Sequence, residues 1–182
     1  MKKKNLHRLL LLLLLVATMA SAQIPTTLTH EDCSLIFPRT DFCRILRDAE
    51  GAVYGEAWYR GLVEDADEFL GYVFTKPLVH EGKAMNLLVG IDKNGRISRV
   101  KIKGLNAVND EFLVQFEGKT FDHSFEMART PEELLFVPAK LRAIAGNLLL
   151  SDHIATGVKA VMQSARKLFN QPTRQEEACS TY

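Results

Sequence analysis

Ala84-Met-Asn-Leu-Leu-Val-Gly-Ile91, Asp92-Lys-Asn-Gly95 and Arg96-Ile-Ser-Arg-Val-Lys-Ile-Lys103 read together as a β-hairpin, and this stretch decides the fold class. Two runs rich in branched aliphatic residues flank four residues of turn type. The Asn94-Gly95 pair supplies the positive-φ positions that a tight turn requires. Along the second run Val100 and Ile102 share one face with Ser98, while Arg99, Lys101 and Lys103 take the other. Parity puts Ile97 with the charged residues, which predicts it at the turn and outside the core.

Upstream, residues 57–63 and 68–75 are aromatic and β-branched, and the acidic stretch 64–67 between them suits a second hairpin turn. Residues 24–29 read as extended because Pro25 opposes helix. Residues 31–49 show helical spacing of Leu35, Phe42, Ile45 and Leu46 interrupted by Pro38, which predicts one or two short helices ending before Gly51. Downstream, residues 109–117 have an acidic first turn and stop at Gly118, as a short helix does. Thr130-Pro131-Glu132-Glu133 offers a cap and a proline at the first helical position, so a brief helix is expected in an otherwise irregular 120–140. From Ser151 to about Phe169, residues Ile154, Val158, Val161, Met162 and Leu168 share one face, with Lys159, Gln163 and Arg166 turned away. Strands first and an amphipathic helix last give an α+β fold: a mainly antiparallel sheet with hairpins, packed by short helices and a C-terminal amphipathic helix.

Residues 1–22 read as a signal peptide. Lys2, Lys3, Lys4 and Arg8 precede an apolar run, and Ala20-Ser21-Ala22 is suited to cleavage after Ala22. The apolar run falls well short of the roughly 20 residues that span a bilayer, and no cysteine follows the cut for lipid attachment. The chain is therefore expected in the periplasm or outside the cell, as one domain over 23–170 with a polar, disordered tail over 171–182. Of 182 residues, 160 remain after cleavage, and the loss of four basic residues and no acid moves the net charge from +1 to −3. That balance gives no reason to expect nucleic acid.

In an oxidising compartment Cys33 and Cys43 either pair or stay as two buried thiols, and the sequence leaves both open. Cys179 lies in the tail. No Cys-x-x-Cys-His or Cys-x-x-Cys pair is present, so no metal is expected.

The order of pieces resembles the FMN-binding domain of the flavin-bearing G and C subunits of Rnf-type and sodium-pumping NADH:quinone oxidoreductase complexes. The matching pieces are Leu88-Val-Gly-Ile-Asp-Lys-Asn-Gly-Arg-Ile97, Phe112-Leu-Val-Gln-Phe-Glu-Gly-Lys119 and Ala143-Ile-Ala-Gly146, with Glu68-Phe-Leu-Gly-Tyr-Val-Phe74 and Phe37-Pro38 also fitting. The resemblance covers roughly residues 35 to 168. It implies an electron-transfer ancestry and a membrane or periplasmic redox partner.

In those proteins a motif Ala-Ile-Ser-Gly-Ala-Thr carries FMN on the threonine through a phosphoester, ahead of a hydroxyl pair and a helix. Here serine is replaced by Ala145, alanine by Asn147, the attachment threonine by Leu148, and the hydroxyl pair by Leu150 and Ser151. A phosphoester needs a hydroxyl and leucine has none, so covalent FMN at position 148 is excluded. The family's Glu-Thr-Pro-Gly-Leu-Gly loop is also replaced, by the shorter Lys103-Gly-Leu-Asn-Ala-Val108. What the resemblance leaves is noncovalent FMN, its phosphate held by Gly146, Asn147, Ser151 and the first amides of the last helix. Against that stands Ser151-Asp152 as an ordinary helix cap, with the three leucines filling core space.

Other residues offer less. His80, Glu81 and His123 have no spacing that places two metal ligands on one helix face, and read as isolated surface histidines. His153 stands near a helix start as a phosphate contact or a packed imidazole. Trp58 and Tyr59 read as core aromatics before they read as partners for an isoalloxazine ring. Ser151, Asp152 and His153 are triad types, but neighbours at a helix start cannot converge, and no catalytic residue is assigned. Two functional expectations follow: an electron-transfer protein if flavin is held, or a noncatalytic interaction or assembly module that has lost it.

Overall fold

The structure is a computed structural model that describes residues 27–61, 67–104, 110–136 and 140–170. The expected leader, the acidic turn at 64–66, most of the loop 103–108 and the C-terminal tail lie outside the described residues. The chain forms helix α1 (His30–Ile36), strands β1 (Phe42–Arg47), β2 (Val53–Tyr59), β3 (Glu68–His80), β4 (Lys83–Asp92) and β5 (Ile97–Lys103), short helices α2 (Asp110–Val114) and α3 (Pro131–Phe136), and helix α4 (Leu148–Phe169). The five strands make one sheet in sequence order, every neighbouring pair antiparallel. The fold is α+β, as the hairpin pattern predicts. Among the described residues no helix is long and apolar enough to cross a membrane.

Helices lie on both faces of this sheet. On one, Ile154, Val158, Val161 and Met162 of α4 pack with Phe74, Leu78, Met85, Leu87, Val89 and Ile91. On the other, α1 brings Cys33 and Ile36 onto Val53, Ala57, Val73 and Leu88. β4 is therefore buried on both sides. That is why residues 87–91 read as a continuous apolar run and do not alternate. The two layers meet at Gly90, where an added Cβ would stand 2.1 Å from Ile36 Cγ2.

Three expectations need correction. Residues 31–49 hold one helix and then a strand. α1 ends at Phe37, where Thr40 N–H donates to the Phe37 carbonyl, and β1 pairs with β2 over six residues. Ladder pairing has overridden the helical spacing of Phe42, Ile45 and Leu46. The Cys33–Cys43 disulfide ties this strand to α1 across a Cα separation of 6.3 Å, which settles the cysteine alternatives in favour of the pair.

Secondly, Ile97 is core, only 1% exposed. The register shifts at Gly90 and Ile91, so that Ile91 faces Ile97 while Gly90 faces Arg99. Ser98 is the extra residue of a bulge, and the bulge reverses the parity that put Ile97 with the charges. In the turn itself only Gly95 takes a positive φ, +74°; Asn94 does not. The Asp92 carboxylate accepts from the N–H groups of Asn94 and Arg96, so the turn is closed by Asp92 and Gly95.

Thirdly, the last helix begins at Leu148, three residues before Ser151. Its N-cap is Asn147, whose side chain accepts from Leu150 N–H.

Candidate functional site

The segment Leu141 to His153 carries the residues singled out for FMN, and it is pinned from both sides. Leu141 exchanges backbone hydrogen bonds with the strand-like piece at Met127: Ala128 N–H donates to the Leu141 carbonyl and Leu141 N–H to that of Glu126, both 2.9 Å. Gln115, just past α2, clamps the next residue with one amide. Its Oε1 accepts from Arg142 N–H at 2.7 Å and its Nε2 donates to the Arg142 carbonyl at 3.0 Å. Ala143 and Ile144 pack against the α4-side core. Gly146 takes φ +73°, and Asn147 N–H returns to the Ile144 carbonyl at 3.0 Å, closing the turn that feeds the helix.

Ser151 points inward. It is fully buried, its hydroxyl accepting from Ile144 N–H at 2.8 Å and donating to the Asn147 carbonyl at 2.8 Å. Asn147 spends its side-chain oxygen on its own helix. The structure thus brings Asn147 and Ser151 together, with the Ser151 hydroxyl and the Asn147 side-chain oxygen both bonded to the chain itself. The leucines divide differently from the core-filling expectation. Leu150 is 2% exposed, whereas Leu148 is 40% and Leu149 79% exposed. In a helix starting at Leu148 only one of three consecutive residues can face the sheet, so the triplet is no core block.

The three triad types diverge. Ser151 turns inward, the Asp152 carboxylate lies 3.6 Å from Arg129, and His153 packs on His80 with ring centroids 6.4 Å apart. His80 is therefore not the surface histidine expected. Its side chain is 14% exposed, held between the end of β3 and the first turns of α4. His123 remains at the surface, its Nδ1 accepting from Thr120 N–H at 3.1 Å. No group of three His, Cys, Asp or Glu side chains is placed to hold a metal among the described residues. Nearby, Arg129 N–H and the Lys140 ammonium hold the Glu133 carboxyl below the ordinary glutamate range.

Reading the sequence for catalytic types passed over an aromatic band on the α4 side of the sheet. Phe42, Trp58, Phe69, Tyr72, Phe169 and Phe121 follow one another at centroid separations between 4.9 and 6.2 Å. Trp58 belongs to this band, while Tyr59 lies under the Arg39 guanidinium at 4.5 Å. Burial, the Glu56 carboxylate and Tyr54 push the Tyr72 phenol above its ordinary range. The signal available in the sequence was the even spacing of Tyr54, Glu56 and Trp58 on one strand and of Tyr72 and Phe74 on the next.

Comparison with protein-family models and with curated proteins finds no match to this chain.

Proposed function

We propose that this is an exported, noncatalytic interaction or assembly module built on a scaffold similar to FMN-binding domains, electron-transferring by ancestry and no longer using flavin. One observation carries the reading. At the place where the resembled family esterifies and cradles a phosphate, Ser151 spends its hydroxyl on Ile144 and Asn147, and Asn147 caps its own helix. Leu148, in the attachment position, stands partly in solvent with a hydrocarbon side chain. An anion arriving there meets two leucines and no free hydroxyl from these positions.

The test is an absorbance spectrum of the purified chain and a titration with FMN. A colourless protein that leaves FMN fluorescence unchanged is the expected result. A bound flavin band, or saturable quenching of FMN, overturns the reading in favour of a noncovalent electron carrier. Replacing Leu148 with threonine in the presence of a flavin-attaching enzyme checks the register: gain of a flavin nucleotide mass at that residue is expected if the alignment is correct.

A further inference from the structure

The geometry points to the outer edge of β1 as a strand-addition site for an extended partner segment that reads acidic, apolar, apolar, acidic. This deepens the interaction-module reading and rests on it. β1 is the terminal strand of the sheet, paired only with β2 among the described residues, so its other edge presents backbone donors and acceptors in strand geometry. The opposite edge, β5, has α2 packed against it. β1 is also held in place before any partner arrives. The Cys33–Cys43 bridge fastens it to α1, and six residues are in register with β2, so binding costs little ordering on this side.

Its side chains specify the partner. Beside the strand runs a groove of about 460 Å³ lined by Thr27, Leu28, Ile45, Leu46, Arg47 and Val53. Leu28 and Val53 are buried at its base, while Ile45 is 44% exposed at its rim. An added strand places successive residues on alternate faces, so the residue opposite Ile45 enters this groove and the one opposite Leu46 falls on the α4 side. Arg44 and Arg47 flank the pair, and no acid stands anywhere in β1. Arg44 meets one carboxylate, Glu56, at 3.5 Å, which uses at most two of its five donors. Arg47 donates to the Gly51 carbonyl and stays at the surface. Opposite-charge pairs across neighbouring strands are favourable and like-charge pairs are not, so the Arg-Ile-Leu-Arg run selects acidic residues at both ends of the added segment. The pattern is symmetric and holds for a parallel or an antiparallel partner. A second copy of this chain fits less well, because edge-to-edge pairing gathers four arginines along one seam. The acids that adjoin β1 in sequence are engaged: Asp41 accepts from Arg60 N–H, and Asp48 accepts from Glu50 N–H and Ala52 N–H in the β1–β2 turn.

The experiment compares a labelled peptide with Glu-Val-Val-Glu at its centre against the same peptide with Lys-Val-Val-Lys. Fluorescence anisotropy reads affinity to the full chain, and hydrogen exchange follows the β1 amides. The acidic peptide should bind about tenfold or more tightly than the basic one and slow exchange in β1. Arg47→Glu, checked for an unchanged circular dichroism spectrum, should erase the preference, because Arg44 and the introduced carboxylate then give either peptide one matched and one opposed end, which a merely structural arginine would not do. Equal binding of both peptides to the native chain, or binding of neither, overturns the proposal. So does a concentration-dependent dimer whose β1 amides are protected without peptide, since a second copy then holds the edge. Protection of the same amides in a peptide-free monomer also overturns it, because the edge is then taken by the chain itself. Failure here with no FMN uptake sinks the edge assignment alone, whereas FMN uptake sinks the interaction-module reading whatever the peptides do.

Discussion

Ser151 Oγ accepts the backbone N–H of Ile144, seven residues earlier, at 2.8 Å, so a buried hydroxyl inside α4 fastens the turn that delivers the chain to that helix. This contact makes the junction a structural clamp. Removing the hydroxyl strands the Ile144 N–H, while the Asn147 carbonyl keeps only its bond from the Ser151 backbone N–H. Ser151→Ala is therefore expected to destabilise the fold by about 1–3 kcal/mol. The urea midpoint at unchanged slope measures it. A shift inside the experimental error would mean that water or another group replaces the hydroxyl and that the clamp has been misread.

The leucine triplet makes a contrast within three consecutive residues. Leu150, nearly inaccessible in the α4-side core, should lose about 2–5 kcal/mol on replacement by alanine. Leu149, facing solvent, should tolerate lysine within about 0.5 kcal/mol. Thermal unfolding of the two variants side by side decides. A heavy loss at Leu149 would show that its face is covered in solution.

These two residues also show where sequence reading stops. The β4–β5 hairpin, the closing helix and its inward positions Ile154, Val158, Val161 and Met162 were legible because each is fixed by local period and by turn chemistry. β1 was not, since the helical spacing of Phe42, Ile45 and Leu46 yields to pairing with a separate strand, Phe42 with Trp58 and Leu46 with Tyr54. Ile97 was misplaced for a related reason: one bulged residue, Ser98, reverses every parity argument beyond it. At the candidate site the residues were legible and their directions were not. Whether a serine faces a ligand or the protein depends on where the helix begins, and the cap at Asn147 moved that start by three residues.

Gly90 supplies a test of the close approach between the two layers. The added methyl of Gly90→Ala meets Ile36 Cγ2 at 2.1 Å and Ser98 Oγ at 2.8 Å, so overpacking should cost about 1–3 kcal/mol. Exchanging the neighbour by Ile36→Leu takes the Cγ2 methyl off Cβ, away from that crowded point, at nearly constant side-chain volume. The double variant should therefore recover part of the loss, with a coupling of at least about 0.5 kcal/mol in a double-mutant cycle. Strict additivity would place the cost of the alanine in the strand backbone and not in the helix contact.

Tyr72 gives the pH dependence of the aromatic band. It sits opposite Glu56 across β2 and β3 and edge-on to Phe69 and Phe169. Burial first, then the Glu56 carboxylate and Tyr54, favour the neutral phenol in the folded chain and raise its pKa above the ordinary 10.0. The unfolded chain then ionises first. Below pH 10 the contribution is intact, and as pH climbs from 10 toward the folded value the unfolded state binds fewer protons, so stability falls. Urea midpoints at pH 8, 9.5 and 11 should drop more steeply between the last two for the native chain than for Tyr72→Phe, which keeps the ring and removes the titration. Equal slopes would mean that the phenol reaches water in the folded state and that the band opens on the Glu56 side. A steeper slope in the phenylalanine variant would reverse the sign and place a stabilising charge on Tyr72, contrary to its neighbours.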